Sequence, residues 1–343
     1  MRLGIVSFHA AYNYGAALQC RCLKEVLGAL GHEVHVLDYR PDYLTEPYRI
    51  LKPYYLKKPL VALSLPWRFP GAWQRNNAFR AFEKTLSPVP MDTPVDAVFF
   101  GSDQIWNSRI CRGLDPVFFG SAPQFIGTRN IAYAASDGNV PLHGVQEQVF
   151  RQYLQHFHRI GVREQSLQDR LQGYGIRSSL TLDPVLLAGR AVLDKLADYR
   201  RIGESYLVTY EAVDNPCVQQ IAASLSSSGR RVIPIAREPY SRGRNGYGPQ
   251  DFVSLLRDAD AVVTTSFHAV ALSLLFHKEF YYAETGTPAD DRIRNLLSLT
   301  GLQERMVAPG APLPASRISF SGADEALGAL RAQSMDFIKE ALQ

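Results

Sequence analysis

Apolar residues along the chain fall into two kinds of run. Short, mostly β-branched or aromatic runs occupy residues 3–8, 33–39, 95–100, 131–135, 159–164, 179–182, 205–210, 231–235, 261–263 and 279–283. Runs of this length, bounded by Gly, Pro or charged residues, predict strands buried on both faces. Longer stretches with helical periodicity separate them. In residues 16–30, Leu18, Leu23, Val26 and Leu30 form one stripe, which Gly31 closes. Similar patterns predict helices over 146–158, 166–173, 185–199, 216–227, 249–257, 267–276, 290–299 and 323–342. Strand-helix alternation of this kind implies α/β architecture with mainly parallel sheets. It divides the chain into a Rossmann-like domain over 1–184, a second over 185–322 and a terminal helix over 323–343, with a cleft between the two halves. Residues 41–90 are rich in Pro and aromatics and read as an irregular insertion with helical pieces, for example 73–86. The loop 236–248 is long, basic and flexible in composition.

Residues 260–276 organise the chemistry: a short apolar strand, the hydroxyls Thr264, Thr265 and Ser266, then an apolar helix. Ser266 is placed to cap that helix, and His268 falls in its first turn beside Phe267. Free N–H groups and the positive end of the helix dipole favour an anion there. A histidine in this position is otherwise a cap or a satisfied core residue. The strand ending at Phe100 runs into Gly101-Ser102-Asp103-Gln104-Ile105-Trp106-Asn107, which puts polar groups at a carboxyl end, where open α/β sheets collect ligands. Trp106 offers either a face for a sugar ring or a piece of core. The turn Asn13-Tyr14-Gly15 either presents backbone N–H groups and the Asn side chain to a ligand or is a tight turn alone. No Gly-x-Gly-x-x-Gly follows the first strand, so a dinucleotide cofactor is not expected.

Length and composition add bounds. At 343 residues, with 46% hydrophobic and 20% charged residues, the chain is globular and long enough for two cores. A net charge of +4 spread over the sequence does not suit nucleic acid but suits small anions. Cys20, Cys22, Cys111 and Cys217 lack metal spacing and read as reduced thiols of a cytoplasmic protein; the histidines form no ligand cluster, so no metal is expected. No signal peptide and no membrane-spanning run is evident. Residues 51–70 carry Lys52, Lys57, Lys58 and Arg68 among Tyr, Leu and Trp. They form either a solvated excursion packed on the domain or a peripheral contact at the inner membrane face, or with a lipid-linked substrate.

Several segments together resemble the polysaccharide pyruvyl transferase family. They are residues 4–9 (Gly-Ile-Val-Ser-Phe-His) with 13–19 (Asn-Tyr-Gly-Ala-Ala-Leu-Gln), 101–107, 133–136 (Tyr-Ala-Ala-Ser), 162–164 (Val-Arg-Glu) with Asp183-Pro184, and 259–269. The likeness covers roughly residues 1–40 and 95–300, and the order and spacing of the pieces carry it. The resemblance implies the architecture of the two-domain (GT-B-like) glycosyltransferases. It also implies phosphoenolpyruvate as donor and co-substrate, with no further cofactor, and a pyruvate ketal on a sugar diol as product. It associates Arg163 and His268 with the donor. One branch of the family carries Arg-Leu-His-Gly where this chain has Ser266-Phe267-His268-Ala269; Arg292, Arg237 and Lys278 are candidates to replace that charge.

Phosphoenolpyruvate brings a phosphate and a carboxylate, so its site needs cations and N–H donors. Arg163 and Arg292 are expected to make bidentate contacts, unless Arg163 is tied to Glu164 or Asp169 and Arg292 lies on a solvated helix face. His268 is the expected general acid. Asp103 is expected to act as base or acceptor ligand, and Asn13, Gly15, Ser102, Gln104 and Trp106 to bind the acceptor, a sugar, oligosaccharide or lipid-linked glycan. A nucleotide-sugar glycosyltransferase of the same architecture and a non-catalytic glycan-binding homologue remain as alternatives.

Overall fold

A computed structural model describes residues 1–51, 59–197, 202–226, 229–239 and 246–343, with the side chains of 59–65 and 68 left aside. The first half contains β1 (Arg2–Val6), α1 (Tyr14–Ala29), β2 (Glu33–Val36), the single turn α2 (Asp42–Thr45), α3 (Pro59–Leu86), β3 (Ala97–Asp103), β4 (Arg129–Ala135), α4 (Val145–Leu154), β5 (Arg159–Val162), α5 (Gln165–Gly173) and β6 (Ser179–Leu180). Then α6 (Pro184–Leu196) leads to β7 (Tyr206–Tyr210), α7 (Pro216–Ser226), β8 (Arg231–Ile235), α8 (Pro249–Asp258), β9 (Ala261–Thr264), α9 (Phe267–Leu275), β10 (Glu279–Ala283), α10 (Asp290–Thr300), β11 (Met306–Val307) and α11 (Ser321–Leu342).

Every strand pair is parallel. The first sheet has the order β2-β1-β3-β4-β5-β6 and the second β11-β10-β9-β7-β8. The chain is thus an α/β protein with two Rossmann-like sheets. Strand order reverses between β1 and β3 in one sheet and between β7 and β9 in the other, and ligands of open parallel sheets collect at the carboxyl ends of such pairs. The loops that leave these ends carry Asn13, Asp103 and Gln104 on one side and Thr265 to His268 on the other.

The two sheets share one apolar core. Leu3, Ile5 and Phe99 of the first sheet, Leu18, Leu23 and Leu27 of α1, Val185 and Leu193 of α6, Phe252 and Leu256 of α8, and Val208 and Val262 of the second sheet belong to it. Two smaller cores cover the outer faces: Val98, Phe100 and Ala132 beneath α4 and α5, and Leu207 and Val263 beneath α7. The terminal helix α11 returns to the first half, where the Ser334 hydroxyl accepts the Leu182 N–H at 2.9 Å and Phe337 packs 6.2 Å from Tyr133.

Several elements differ from their sequence expectation. Residues 59–86 form one long helix, although Pro66 and Pro70 each remove a backbone donor. Its second half is held by a buried stripe of Ala72, Arg75, Asn76, Phe79, Phe82, Glu83 and Leu86, and packing of that face outweighs the local breakers. In α6, Gly189 breaks the helix with φ 74°, a left-handed conformation open to glycine. The short β11 carries too little pattern to be read in advance. Lys52, Lys57 and Lys58, residues 198–199 of the expected connector helix, residue 227 and residues 240–245 of the expected loop 236–248 lie outside the described residues. No described helix is long and apolar enough to cross a membrane.

Two side chains stitch the halves together. Tyr14 is buried, stacks on Phe252 at 4.5 Å, and donates its hydroxyl to the Ala236 and Tyr247 carbonyls at 3.3 and 3.0 Å. Arg75, also buried, donates to the Tyr12 and Arg237 carbonyls at 2.7 and 2.6 Å and lies over the rings of Phe79 and Tyr14 at 4.4 and 5.3 Å. Tyr14→Phe keeps the stacking and strands two carbonyls, so denaturant unfolding should show a loss of about 1–2 kcal/mol.

Candidate functional site

Between the two carboxyl ends lies a cleft of about 300 Å³. Asn13, Asp103, Gln104, Tyr43 and Tyr48 line it from the first half, and Tyr210, Thr265, Ser266, Phe267, His268, Tyr282 and Arg292 from the second. Local sequence fixes two of these, Asn13 and Ser266, as helix caps. Asn13 caps α1 by accepting the Ala16 N–H at 3.2 Å. Ser266 caps α9 by accepting the Ala269 N–H at 3.4 Å, and its own N–H is held by Thr264 Oγ1 at 3.0 Å. Thr265 accepts the Val213 N–H and donates to the Val213 carbonyl, at 3.0 and 2.9 Å, which pins the β7 and β9 loops to each other.

Beneath the cleft sits Asp183, fully buried, at the N-terminus of α6. One carboxylate oxygen accepts the Val185 N–H at 2.9 Å. The other accepts from the Gln19 amide and from Arg163 Nη1 at 2.9 Å, and lies 3.5 Å from His268 Nε2. Burial pushes this carboxyl up, but the His268 ring, the Arg163 charge and the Val185 amide together hold it below the ordinary value of 3.8. Arg163 has Glu164 Oε1 at 3.3 Å from Nε and Asp103 Oδ1 at 3.6 Å from Nη2, and stacks over Phe267 at 5.1 Å. Burial opposes its charge, yet Glu164, Asp183 and Asp103 outweigh that and raise its pKa.

The imidazole of His268 is wedged between Asp183 and the backbone of Gly15. A Cβ on Gly15 would stand 2.0 Å from His268 Nδ1, so the first turn of α1 approaches the ring only because residue 15 has no side chain. Arg292 enters from α10. Asp290, at the start of that helix, accepts from the Tyr282 hydroxyl at 2.8 Å, the Thr285 hydroxyl at 2.7 Å and the Gly286 N–H at 2.8 Å, which anchors the turn. Arg292 is partly buried, its Nε has no hydrogen-bond partner, and no carboxylate lies within ion-pair distance among the described residues. Burial and then the Arg163 charge lower its pKa.

Of the residues singled out from sequence, Asn13, Asp103, Gln104, Ser266, Phe267, His268 and Arg292 meet at the cleft. Gly15 lies under the His268 ring. Arg163 departs from its expected bidentate anion contact: it lies behind Phe267 and two of its nitrogens are taken by Glu164 and Asp183, because three carboxylates converge on it. The Ser102 hydroxyl is buried and accepts the Asp103 N–H at 2.6 Å, so it is no acceptor ligand. Trp106 is 1% exposed, stacks on Phe119 at 5.5 Å and donates to the Phe118 carbonyl at 3.1 Å; it is core and no sugar platform. Arg237 donates to the Ala212 carbonyl at 2.7 Å and pairs with Glu238 at 3.2 Å, and it does not itself line the cleft. Sequence reading passed over Gln19 and Asp290. The Gln19 position lies inside a helix stripe and the Asp290 position looks like an ordinary acidic helix start, so neither gives a local signal.

His9, Asp38 and Glu83 also gather, with potential ligand atoms within 4.8 Å of one another. Sequence spacing did not show this group. Arg40 pairs with both of its carboxylates, Asp38 at 2.6 Å and Glu83, and so neutralises the acids with a guanidinium.

Two outcomes follow from this geometry. Because the Asp183 carboxyl sits below its unfolded value of 3.8, its contribution to stability is complete above that pH and fades as pH falls beneath it. Asp183→Asn should cost about 3–5 kcal/mol near neutrality and flatten the acid limb of stability against pH, measured by denaturant titration at several pH values. Gly15→Ala should push the His268 ring aside at a cost of about 1–3 kcal/mol, seen as a moved imidazole resonance by NMR and a lower unfolding midpoint.

No curated protein matches the sequence. Among solved structures, TcCGT1 in complex with UDP shares 11% identity, with 99% of this chain and 94% of that chain covered and a TM-score of 0.45. Arabidopsis thaliana UGT89C1 shares 13% identity over 99% and 94% of the two chains, with a TM-score of 0.44. E. coli heptosyltransferase WaaC, with ADP-2-deoxy-2-fluoro heptose, shares 12% identity over 84% and 90%, with a TM-score of 0.41. The family model described as polysaccharide pyruvyl transferase matches residues 13–284, a span that runs from the cap of α1 past β10 and holds every polar side chain around the cleft except Arg292, and the chain belongs to that family.

Proposed function

We propose that this protein moves the enolpyruvyl group of phosphoenolpyruvate onto two hydroxyls of a sugar in a polysaccharide or its precursor, forming a pyruvate ketal and releasing phosphate. The observation that carries this reading is Arg292. It is the only Lys or Arg lining the cleft among the described residues, and it has no carboxylate partner while Arg163 has three. An anionic donor supplies what Arg292 lacks, and the first turn of α9 adds its dipole beside it. A cleft of about 300 Å³ suits a small donor with the reacting end of a sugar.

In this reading Asp183 fixes the orientation of His268 through Nε2, and Nδ1, on the Gly15 side, handles the exchanging proton. That proton goes to the CH₂ carbon of the enol, which leaves C2 electrophilic. One sugar hydroxyl adds to C2 and the phosphate departs; the second hydroxyl closes the ring. Of the two hydroxyl protons, one replaces the proton lent by His268 and the other leaves with phosphate. Asp103, at the carboxyl end of β3, accepts a hydrogen bond from the incoming hydroxyl, with Asn13 and Gln104 beside it.

The test is phosphate release from phosphoenolpyruvate with a panel of pyruvylated-polysaccharide precursors. His268→Ala should lower kcat about 10²- to 10⁴-fold, and Arg292→Ala should raise KM for phosphoenolpyruvate about 10- to 100-fold. Near-normal turnover by His268→Ala, or thermal protection by a nucleotide sugar and none by phosphoenolpyruvate, would sink the reading.

A further inference from the structure

The exposed large aromatic side chains among the described residues gather on one element. Trp67 is 89% exposed, Trp73 56% and Phe69 40%, all on α3, and Leu51, 70% exposed, precedes that helix in the chain. Two of the three tryptophans therefore face solvent, where an isolated globular protein gains nothing from them. The third, Trp106, is in the core. The same segment is cationic: between Glu46 and Glu83 the sequence holds seven Lys and Arg, one of them the buried Arg75, and no acidic residue, in a chain whose total charge is +4. Arg49, Arg80 and Lys84 are exposed. The inner face of α3 is firmly attached to the cleft. Asn76 donates to the Tyr48 carbonyl at 2.8 Å, and Tyr43, Pro47 and Tyr48 form part of the cleft wall.

We propose that the outer face of α3 docks on an anionic phospholipid surface. Exposed indoles set among Lys and Arg match a lipid interface on both counts: the rings enter the boundary between headgroups and acyl chains, and the cations meet anionic headgroups. A protein partner with an acidic rim could neutralise the charge, but the mix of tryptophan, phenylalanine and unbroken positive charge fits headgroups better. Docked in this way, α3 alone stands between the bilayer and the cleft wall of residues 43–48 to which Asn76 ties it, which suits a glycan acceptor carried on a lipid. That last step rests on the proposed function; docking itself does not.

Flotation of the full chain with phosphatidylcholine vesicles, with and without phosphatidylglycerol, tests this with no donor or acceptor present, so its failure and that of the transfer reaction are read separately. Binding is expected with the anionic vesicles at low salt, falling as salt rises. Tryptophan fluorescence should shift to the blue and be quenched by brominated acyl chains, which cannot reach Trp106. The double variant Trp67→Ala/Trp73→Ala, with unchanged circular dichroism, should lose about tenfold or more in partitioning. If that variant does not fold, bromolipid quenching of the wild type decides alone. Absence of flotation at low salt, unquenched fluorescence on bound protein, or undiminished binding by a folded double variant overturns the proposal. So does self-association that the double variant abolishes without any vesicle binding, which assigns the face to a second copy.

Discussion

The buried carboxylate of Asp183 is the point on which the cleft depends. An unpaired carboxylate in that position would carry a desolvation cost of several kcal/mol, and the charge persists because Arg163, Gln19, His268 and the Val185 amide all meet it. Those partners come from α1, the end of β5, the first turn of α6 and the first turn of α9. Satisfying one charge therefore fixes the relative placement of elements from both halves. The price is that Arg163 is committed to structure: with Glu164 and Asp103 also drawn to it, its positive charge is already answered before any ligand arrives.

That commitment leaves Arg292 as the cleft-lining guanidinium without a carboxylate partner among the described residues, and its position is set in turn by Asp290 gripping the Tyr282 and Thr285 groups. The site separates two kinds of electrostatics. Below Phe267, one guanidinium is enclosed by carboxylates in a buried interior; above it, at the edge of an open cleft, Arg292 has no carboxylate partner among the described residues. Phe267 is the boundary, its ring against Arg163 on one side and its edge on the cleft. The shared apolar core and the Tyr14 and Arg75 contacts between halves keep this boundary in register.

Much of the fold was legible because parallel strands buried on both faces leave continuous apolar runs. Runs such as 205–210 and 279–283 needed no tertiary context to be recognised. The cap at Ser266 was legible for a similar reason, since a cap works within four residues of chain, whereas Asn13 read as part of a turn and only the structure shows it capping α1. Helix α3 was only half legible: Pro66 and Pro70 signal breaks, and only packing of the stripe from Ala72 to Leu86 against the core shows that the helix runs on. Trp106 was ambiguous for a different reason. An indole next to a polar strand end suits either a sugar or a core, and the side to which the chain turns after Asp103, where φ is 77°, buries it against Phe119.

The sequence by itself determined the strand-helix alternation, the two sheets, the capped first turn that carries His268, and the family, because each is written in residues close together in the chain. Tertiary structure alone decided which of the two candidate guanidiniums lacks a carboxylate partner among the described residues. Arg163 and Arg292 look equally suited as text, but whether a guanidinium is already paired depends on carboxylates supplied from positions 103, 164 and 183, and none of the described carboxylates lies within ion-pair distance of Arg292. The same holds for Gly15: its lack of a side chain reads as a turn until the fold brings His268, more than 250 residues away in sequence, to the space a Cβ would fill. Charge balance and close approach are properties of neighbours in space, and folding chooses those neighbours.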